Sequence, residues 1–520
     1  MSLIPNYILY GGCYITLGED FFGWHDSFNL SLYPENTIRV PGHIEQETTA
    51  IYTANAIRAR FEAILGSNPS VKDSIRMWNL LCRGCGVWIN LGSPGDLEVK
   101  DPDNLTISKE LNEIPWAEYI ETDIDGDGDP EDMIAILSQK MGNYSINVIP
   151  EPDASPNDTY SLEVERDYIL TTLAEDVQIS DIPDEPYTFE SEHEDWLVTA
   201  TEIYSNQEIA LNGKLLVIDG GNLTLDNVTL KINCSSWECN IEVIDGALYI
   251  NNSNITRVEP DIKLTVLPGS KLEMKNSELC GVQVHIQANN TIIKNNSIVG
   301  GVSIHECSNT QIINNNISGS SRVGIHLYSS SNYNALTNNI VSNKEYGIWL
   351  SSSSNNDLTR NNAYNNYYGI YLDSSSNNDL TSNNAYNNNH GIELYHSSNN
   401  NLTSNNAYNN NYGITLYHSS NNNDLTSNNA YNNYYDGICL SSSSNNDLTS
   451  NNAYNNSDRG IWLSSSSNNM LMNNIASNNG DGIYLRYSSN NNLTSNTANS
   501  NDCGIYLYSS SNNNNRVVAI

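Results

Sequence analysis

The sequence predicts an all-β protein whose larger part is a right-handed parallel β-helix of about 22 residues per turn, preceded by a small β-sandwich and a short α/β N-terminal segment. Three observations carry this. Glycines opening Gly-Ile-x-Leu or a near variant recur at Gly324, Gly347, Gly369, Gly391, Gly413, Gly437, Gly460, Gly482 and Gly504, with looser copies from Gly281 and Gly301. Self-similarity at a fixed period of this length marks a solenoid. Within each copy Ile and Leu flank one outward residue, as Ile370 and Leu372 flank Tyr371, which is strand alternation, and no helical periodicity is present. The remainder of each copy is Ser and Asn with one Leu-Thr and one Ala-Tyr, too few apolar residues for a leucine-rich repeat. Asn and Gly suit the bends because they tolerate left-handed backbone geometry.

The elements follow in order. Residues 1–85 are the least legible; 47–65 have apolar residues at helical spacing and predict one amphipathic helix. Weakly, 36–46 resemble the histidine-bearing loop of an α/β-hydrolase, with His43 in the histidine's place, but no G-x-S-x-G elbow occurs. Residues 86–195 alternate as strands of a small sandwich, around an acidic stretch at 121–137. Residues 196–520 form the β-helix, with an irregular start over 196–300 and regular repeats over 301–520. An irregular start covers the first open edge of such a stack.

Composition narrows the function classes. Lys and Arg total 23 against 60 Asp and Glu, a net charge of −37, which opposes nucleic acid and anionic membranes as partners. Tyr outnumbers Phe 32 to 5, a usage suited to rings standing half in water. Nine scattered Cys imply no dense disulfide framework, and Cys82 and Cys85 form one CxxC without a second pair at zinc spacing. Asn-x-Ser/Thr acceptors, among them Asn104, Asn254, Asn316, Asn401 and Asn492, fit an exported, glycosylated chain, although an Asn- and Ser-rich sequence also makes them by chance. The first twenty residues show neither signal peptide nor anchor, so an exported chain is expected to lack its true start here. No transmembrane segment is read, and an extracellular or cell-surface location is expected.

The stretch GIYLDSSSNNDLTSNNAYNN (369–388) and its copies resemble the right-handed β-helix repeat proteins of the NosD-like and CASH (carbohydrate-binding and sugar-hydrolase) group, common in surface proteins of methanogenic archaea. The resemblance covers roughly 240–520 and implies the fold and a carbohydrate or polysaccharide partner. The group includes proteins of copper-enzyme maturation, but copper requires Cys, Met or His clusters. Here His390, His396 and His418 are scattered and Met470 and Met472 stand alone.

Two sets of site residues emerge. Asp123, Asp125 and Asp127 recur every second residue with Gly126 and Gly128 between and after, a spacing by which a hard cation gathers oxygen ligands. The stretch resembles the calcium loops of dockerin, thrombospondin-type and integrin-type repeats. That match implies side-chain ligands from Asp123, Asp125 and Asp127, a carbonyl from Asp129 and a later carboxylate from Glu131, with calcium in a structural role. Ile134 stands where an EF-hand places its glutamate, so a loop-only site is implied.

The second set lies between the Ile and Leu of each repeat, a position expected to point outward. It places Trp349, Tyr371, Trp462, Tyr484 and Tyr506 on one face as platforms for sugar rings. A second column, Tyr364, Tyr386, Tyr408, Tyr431 and Tyr454, either serves likewise or stacks on itself to stiffen the solenoid. An acidic column, Asp357, Asp379, Asp424 and Asp447, is either solvated or bridged by weak calcium.

Catalysis needs a break in the repeat with carboxylates and a base; Asp436 and Asp458–Arg459, at insertions before Gly437 and Gly460, are the places to look. The expectation is an exported surface protein with a carbohydrate-binding, calcium-stabilised stalk and no catalytic residue assigned. A polysaccharide lyase or hydrolase of the same fold and a purely structural spacer remain as alternatives. The turn after Gly504 has no evident cap, which suggests self-association through it.

Overall fold

The computed structural model describes residues 7–10, 13–16, 27–29, 87–92, 94–122, 131–136, 138–166, 169–233, 239–257 and 261–517. The expected helix over 47–65, His43 and the Cys82/Cys85 pair lie outside them. Near the N-terminus, β1 (Tyr7–Tyr10) pairs antiparallel with β2 (Cys13–Thr16), which pairs parallel with β3 (Ser27–Asn29). The chain divides into two units, one of 1–197 with 211–215 and the other of 198–210 with 216–520.

The first unit contains a two-sheet sandwich. Its strands are β4 (Val87–Gly92), β5 (Gly95–Lys100), β6 (Thr106–Ser108), β7 (Ala117–Thr122), β8 (Glu131–Ile136), β9 (Gly142–Pro150), β10 (Thr159–Arg166), β11 (Ile169–Gln178) and β12 (Tyr187–Ser191). They order as β11-β10-β4-β8-β7 and β12-β9-β5-β6. Alternation places Ile89, Leu91, Leu97, Val99, Ile134, Ile146, Leu162 and Val164 in one buried core, and Tyr144 stacks on Phe189 at 4.7 Å. Strands β7 and β8 pair from Ala117↔Ile136 to Thr122↔Glu131, so 123–130 joins two strands of a hairpin.

The second unit is a parallel β-solenoid. Each regular turn lays down three strands, for example Tyr368–Asp373, Asp379–Thr381 and Asn384–Tyr386. The long strands stack into one sheet and both short strands into another of 26 strands. Register is strict: Ile348, Ile370, Ile392 and Ile414 pair in succession, as do the leucines two residues on. The repeated Ile, Leu, Leu and Ala, such as Ile392, Leu394, Leu402 and Ala407, are fully buried in the centre. Each buried Leu or Ile contributes about 1.5–3 kcal/mol, so a narrow core of four apolar residues per turn suffices once many turns stack.

The Ser and Asn residues build the corners in pairs. In one turn Ser374, Asn377, Ser382 and Asn387 adopt φ of 51°, 59°, 57° and 56°. Each is followed by an inward residue, Ser375, Asn378, Asn383 and Asn388, buried almost completely. Thus the first residue of each pair turns the chain and the second closes the bend from inside. Asn383 donates its backbone N–H to Asn405 Oδ1 at 2.9 Å, and its Nδ2 to the Leu358 carbonyl at 2.7 Å and to Asn405 Oδ1 at 3.0 Å. The same set recurs at Asn405 toward Asn428 and Leu380. Buried polar groups are costly only when unpaired, and here each amide pairs with the turns on both sides. Asn ladders therefore run inside the solenoid, and Ser takes left-handed corners beside the expected Asn.

Lys344 stands in place of Asn at the start of one ladder. Its Nζ donates to the carbonyls of Gly300, Ser318 and Gly319, each at 2.8 Å, and to Ser321 Oγ at 2.6 Å. Burial lowers its ammonium to about 8.

Candidate functional site

The outer face of the long-strand sheet carries the chemistry. Three side chains per turn stand on it: the residue before Gly, the residue between Ile and Leu, and the residue after Leu. Before Gly the column reads Tyr346, Tyr368, His390, Tyr412, Asp436, Arg459 and Asp481. Between Ile and Leu it reads His326, Trp349, Tyr371, Glu393, Thr415, Cys439, Trp462, Tyr484 and Tyr506.

Stacking joins the first column into a continuous row. Ring centroids are 5.0 Å apart for Tyr346–Tyr368, 4.9 Å for Tyr368–His390, 5.1 Å for His390–Tyr412 and 4.9 Å for Tyr412–Tyr435. The 24-residue spacing from Gly413 to Gly437 ends this row. There Tyr434 and Tyr435 protrude, 63 % and 39 % exposed, while Asp436 is covered and is 2 % exposed.

The middle column differs from its expected exposure. Glu393, Thr415 and Cys439 point away from the core by alternation, yet are only 5 %, 1 % and 0 % exposed. Tyr417, half-buried itself, follows Leu416 on the same face. Glu393 Oε2 lies 2.7 Å from His390 Nδ1 and accepts from Thr415 Oγ1 at 3.4 Å. These three positions are closed to solvent, so the middle column is not a continuous sugar-accessible strip.

Beyond the patch lies a charged pair. Asp436 Oδ1 is 3.3 Å from Arg459 Nη1, and Arg459 Nη2 is 3.2 Å from Asp458 Oδ2. The guanidinium sits 4.2 Å over the Trp462 ring and 5.3 Å from that of Tyr484. Burial raises the Asp436 carboxyl to about 7 against the opposing pull of Arg459. Burial likewise raises the Tyr417 and Tyr371 hydroxyls and lowers the His326 imidazole to about 4.

Of the sugar platforms expected from sequence, Trp349 is packed between His326 at 4.2 Å and Tyr346 at 4.6 Å. Tyr371 leans on Tyr368 at 4.9 Å. Trp462 is capped by Arg459, and Tyr484 and Tyr506 lie 5.0 Å apart. The second tyrosine column, Tyr364 to Tyr454, stacks on itself with centroids 4.9–5.1 Å apart and planes within 10°. Its faces are taken by its own members. Tyr367, Tyr434 and Tyr435, which offer more open surface, were not singled out by sequence, because only the register shows which residue of each bend projects.

Of the calcium set, Asp123, Asp125, Asp127 and Asp129 lie outside the described residues, and Glu131 opens β8, half-buried. Its neighbour Asp132 is buried, accepts a short hydrogen bond from the Tyr119 hydroxyl, and is raised by burial to about 6.

Two family models match the solenoid. One, described as right handed beta helix region, covers residues 300–434. The other, described as periplasmic copper-binding protein (NosD), covers 373–518. The copper-donor residues do not fit that ion. His390 is engaged by Glu393, and His396 and His418 have ring centroids 5.7 Å apart beside Tyr395. No group of three or more His, Cys, Asp or Glu able to hold a metal occurs among the described residues.

Among solved structures, the periplasmic alginate epimerase AlgG is similar at 18% identity over 60% of this chain and 78% of that one, TM-score 0.35. The A-module of the Azotobacter vinelandii mannuronan C-5 epimerase AlgE4 is similar at 16% over 58% and 87%, TM-score 0.37. The Dettilon tailspike protein is similar at 15% over 59% and 61%, TM-score 0.39. No curated protein matches the chain. No helix among the described residues is long and apolar enough to cross a membrane. With the turns traced pair by pair and both family models falling on them, the second unit is a right-handed parallel β-helix repeat, NosD-like over residues 373–518.

Proposed function

We propose that this is an exported, cell-surface glycan-binding protein, whose solenoid is a rigid stalk and whose recognition surface is the outer face of the long-strand sheet. The observation that carries the reading is the pair of protruding rings, Tyr434 and Tyr435, 63 % and 39 % exposed, at the end of the stacked row that begins at Tyr346. Aromatic faces take the apolar faces of sugars, and neighbouring amides and hydroxyls bond their hydroxyl groups. Calcium in the 123–131 loop would clamp the sandwich, with no part in recognition.

The buried Asp436 beside Arg459 favours one second reading, an enzyme that modifies polysaccharide, because a carboxyl held near neutrality can exchange protons at working pH. Passing the protein over immobilised neutral and acidic glycans separates these. Retention without new reducing ends or unsaturated products supports binding; turnover supports the enzyme. Neither retention nor turnover leaves a structural spacer and ends the binding reading.

A further inference from the structure

Three exposed rings of this face lie along one edge, where the chain enters each long strand. Tyr367 is 48 % exposed, and Tyr434 and Tyr435 project from the same edge further along. Tyr367 precedes Gly369 and Tyr434 precedes Gly437, three turns apart, or roughly 14 Å at ~4.8 Å per turn. The equivalent positions of the two turns between hold Asn389 and Asn411, both half-buried. Aromatic surface thus bounds a short run of amides along the axis. One turn is about as tall as one pyranose unit is long in an extended chain.

Charge selects the kind of glycan. No Lys or Arg occurs between Arg360 and Arg459; of the carboxylates in that span Asp373 ends a long strand on this face, Glu393 and Asp436 are nearly closed to solvent, and Asp379, Asp424 and Asp447 belong to the other sheet. Arg459 already pairs with Asp436 and Asp458. Below the span, Arg322 pairs with Glu345 at 2.8 Å. A polyanion laid along this edge meets no uncompensated cation within that span, in a chain of net charge −37, and like-charge repulsion opposes binding.

We propose that the ligand is an uncharged glycan chain lying parallel to the solenoid axis, one sugar per turn between Tyr367 and Tyr434. Ring faces rest on Tyr367 at one end and on Tyr434 and Tyr435 at the other, with hydroxyls on Asn389 and Asn411. This rests on the glycan-binding reading and specifies its ligand.

The test is calorimetric titration of the full chain, at low salt, with linear β-linked gluco-, manno- and N-acetylglucosamine oligosaccharides of increasing length, and with oligogalacturonates of matching length. Neutral oligosaccharides should bind with affinity that rises until the chain spans the three turns and then levels off. Oligogalacturonates should bind at least tenfold more weakly. The double variant Tyr434→Ala/Tyr435→Ala should lose roughly tenfold in affinity for the neutral series, with an unchanged melting temperature. Preference for oligogalacturonate, affinity independent of length, or undiminished binding by the double variant overturns the inference while leaving glycan binding in place. Binding of no saccharide overturns the reading beneath it.

Discussion

Asp436 and Arg459 are successive occupants of one outward column, and the Asp436 carboxyl, almost wholly buried, keeps its Oδ1 3.3 Å from Arg459 Nη1. The pair is long for a charge-assisted hydrogen bond, and burial outweighs it, raising Asp436 from 3.8 to about 7.

A carboxyl raised in the folded state binds a proton there that the unfolded chain has released. Its stabilising contribution is complete below pH 3.8 and is lost as pH rises to about 7, with a slope approaching 1.4 kcal/mol per pH unit between. His326, lowered to about 4, has the opposite slope between 4 and 6.5. The comparison with Asp436→Asn therefore isolates the effect. Relative to that variant, the natural protein should lose stability from pH 4 to 7 in urea titrations; parallel curves would remove the burial argument.

Replacing Arg459 by Met leaves Asp436 without its partner and removes the cation over Trp462. The expected cost is about 1–3 kcal/mol at pH 8 and less at pH 5, where Asp436 is protonated in any case. Trp462 should also change its fluorescence. A cost equal at both pH values would indicate lost packing rather than lost charge pairing.

Asn405 closes a corner from within, accepting from Asn383 and donating to the Leu380 carbonyl at 2.8 Å. Asn405→Ala orphans buried donors and should cost about 2–4 kcal/mol. Asn406, next in sequence, donates to Asn384 Oδ1 at 2.8 Å on the outer surface, and Asn406→Ala should cost under about 1 kcal/mol. Chemical denaturation of the two variants should show this contrast between neighbours.

A Cβ added at Gly391 would lie 2.5 Å from the Gly413 carbonyl oxygen and 2.7 Å from Asn410 Nδ2. Backbone of the next turn cannot yield without breaking the ladder, so Gly391→Ala should destabilise by more than about 3 kcal/mol. Wild-type melting of that variant would mean that adjacent turns separate readily.

If the 123–131 loop binds calcium, chelator should lower the melting temperature of the natural protein by several degrees and leave Asp123→Ala/Asp125→Ala unaffected. An identical response to chelator in both would remove calcium from the sandwich.

Much of this was legible in the chain. The spacing of glycines fixes where each turn begins, and alternation fixes that Ile370, Leu372 and their equivalents face inward, because a strand allows a side chain only two directions. The Asn and Ser pairs mark the corners, since few other residues combine a left-handed backbone with an amide or hydroxyl short enough to bond inside. What the sequence could not decide is how much of the outward face stays open. Direction is local, but exposure depends on side chains brought alongside from other turns, as Thr415 bonds Glu393 and as Arg459 lies against Tyr484. Likewise the long turn before Gly437 shows that residues were added, but only packing against Tyr412 and Arg459 leaves Tyr434 and Tyr435 open and Asp436 covered.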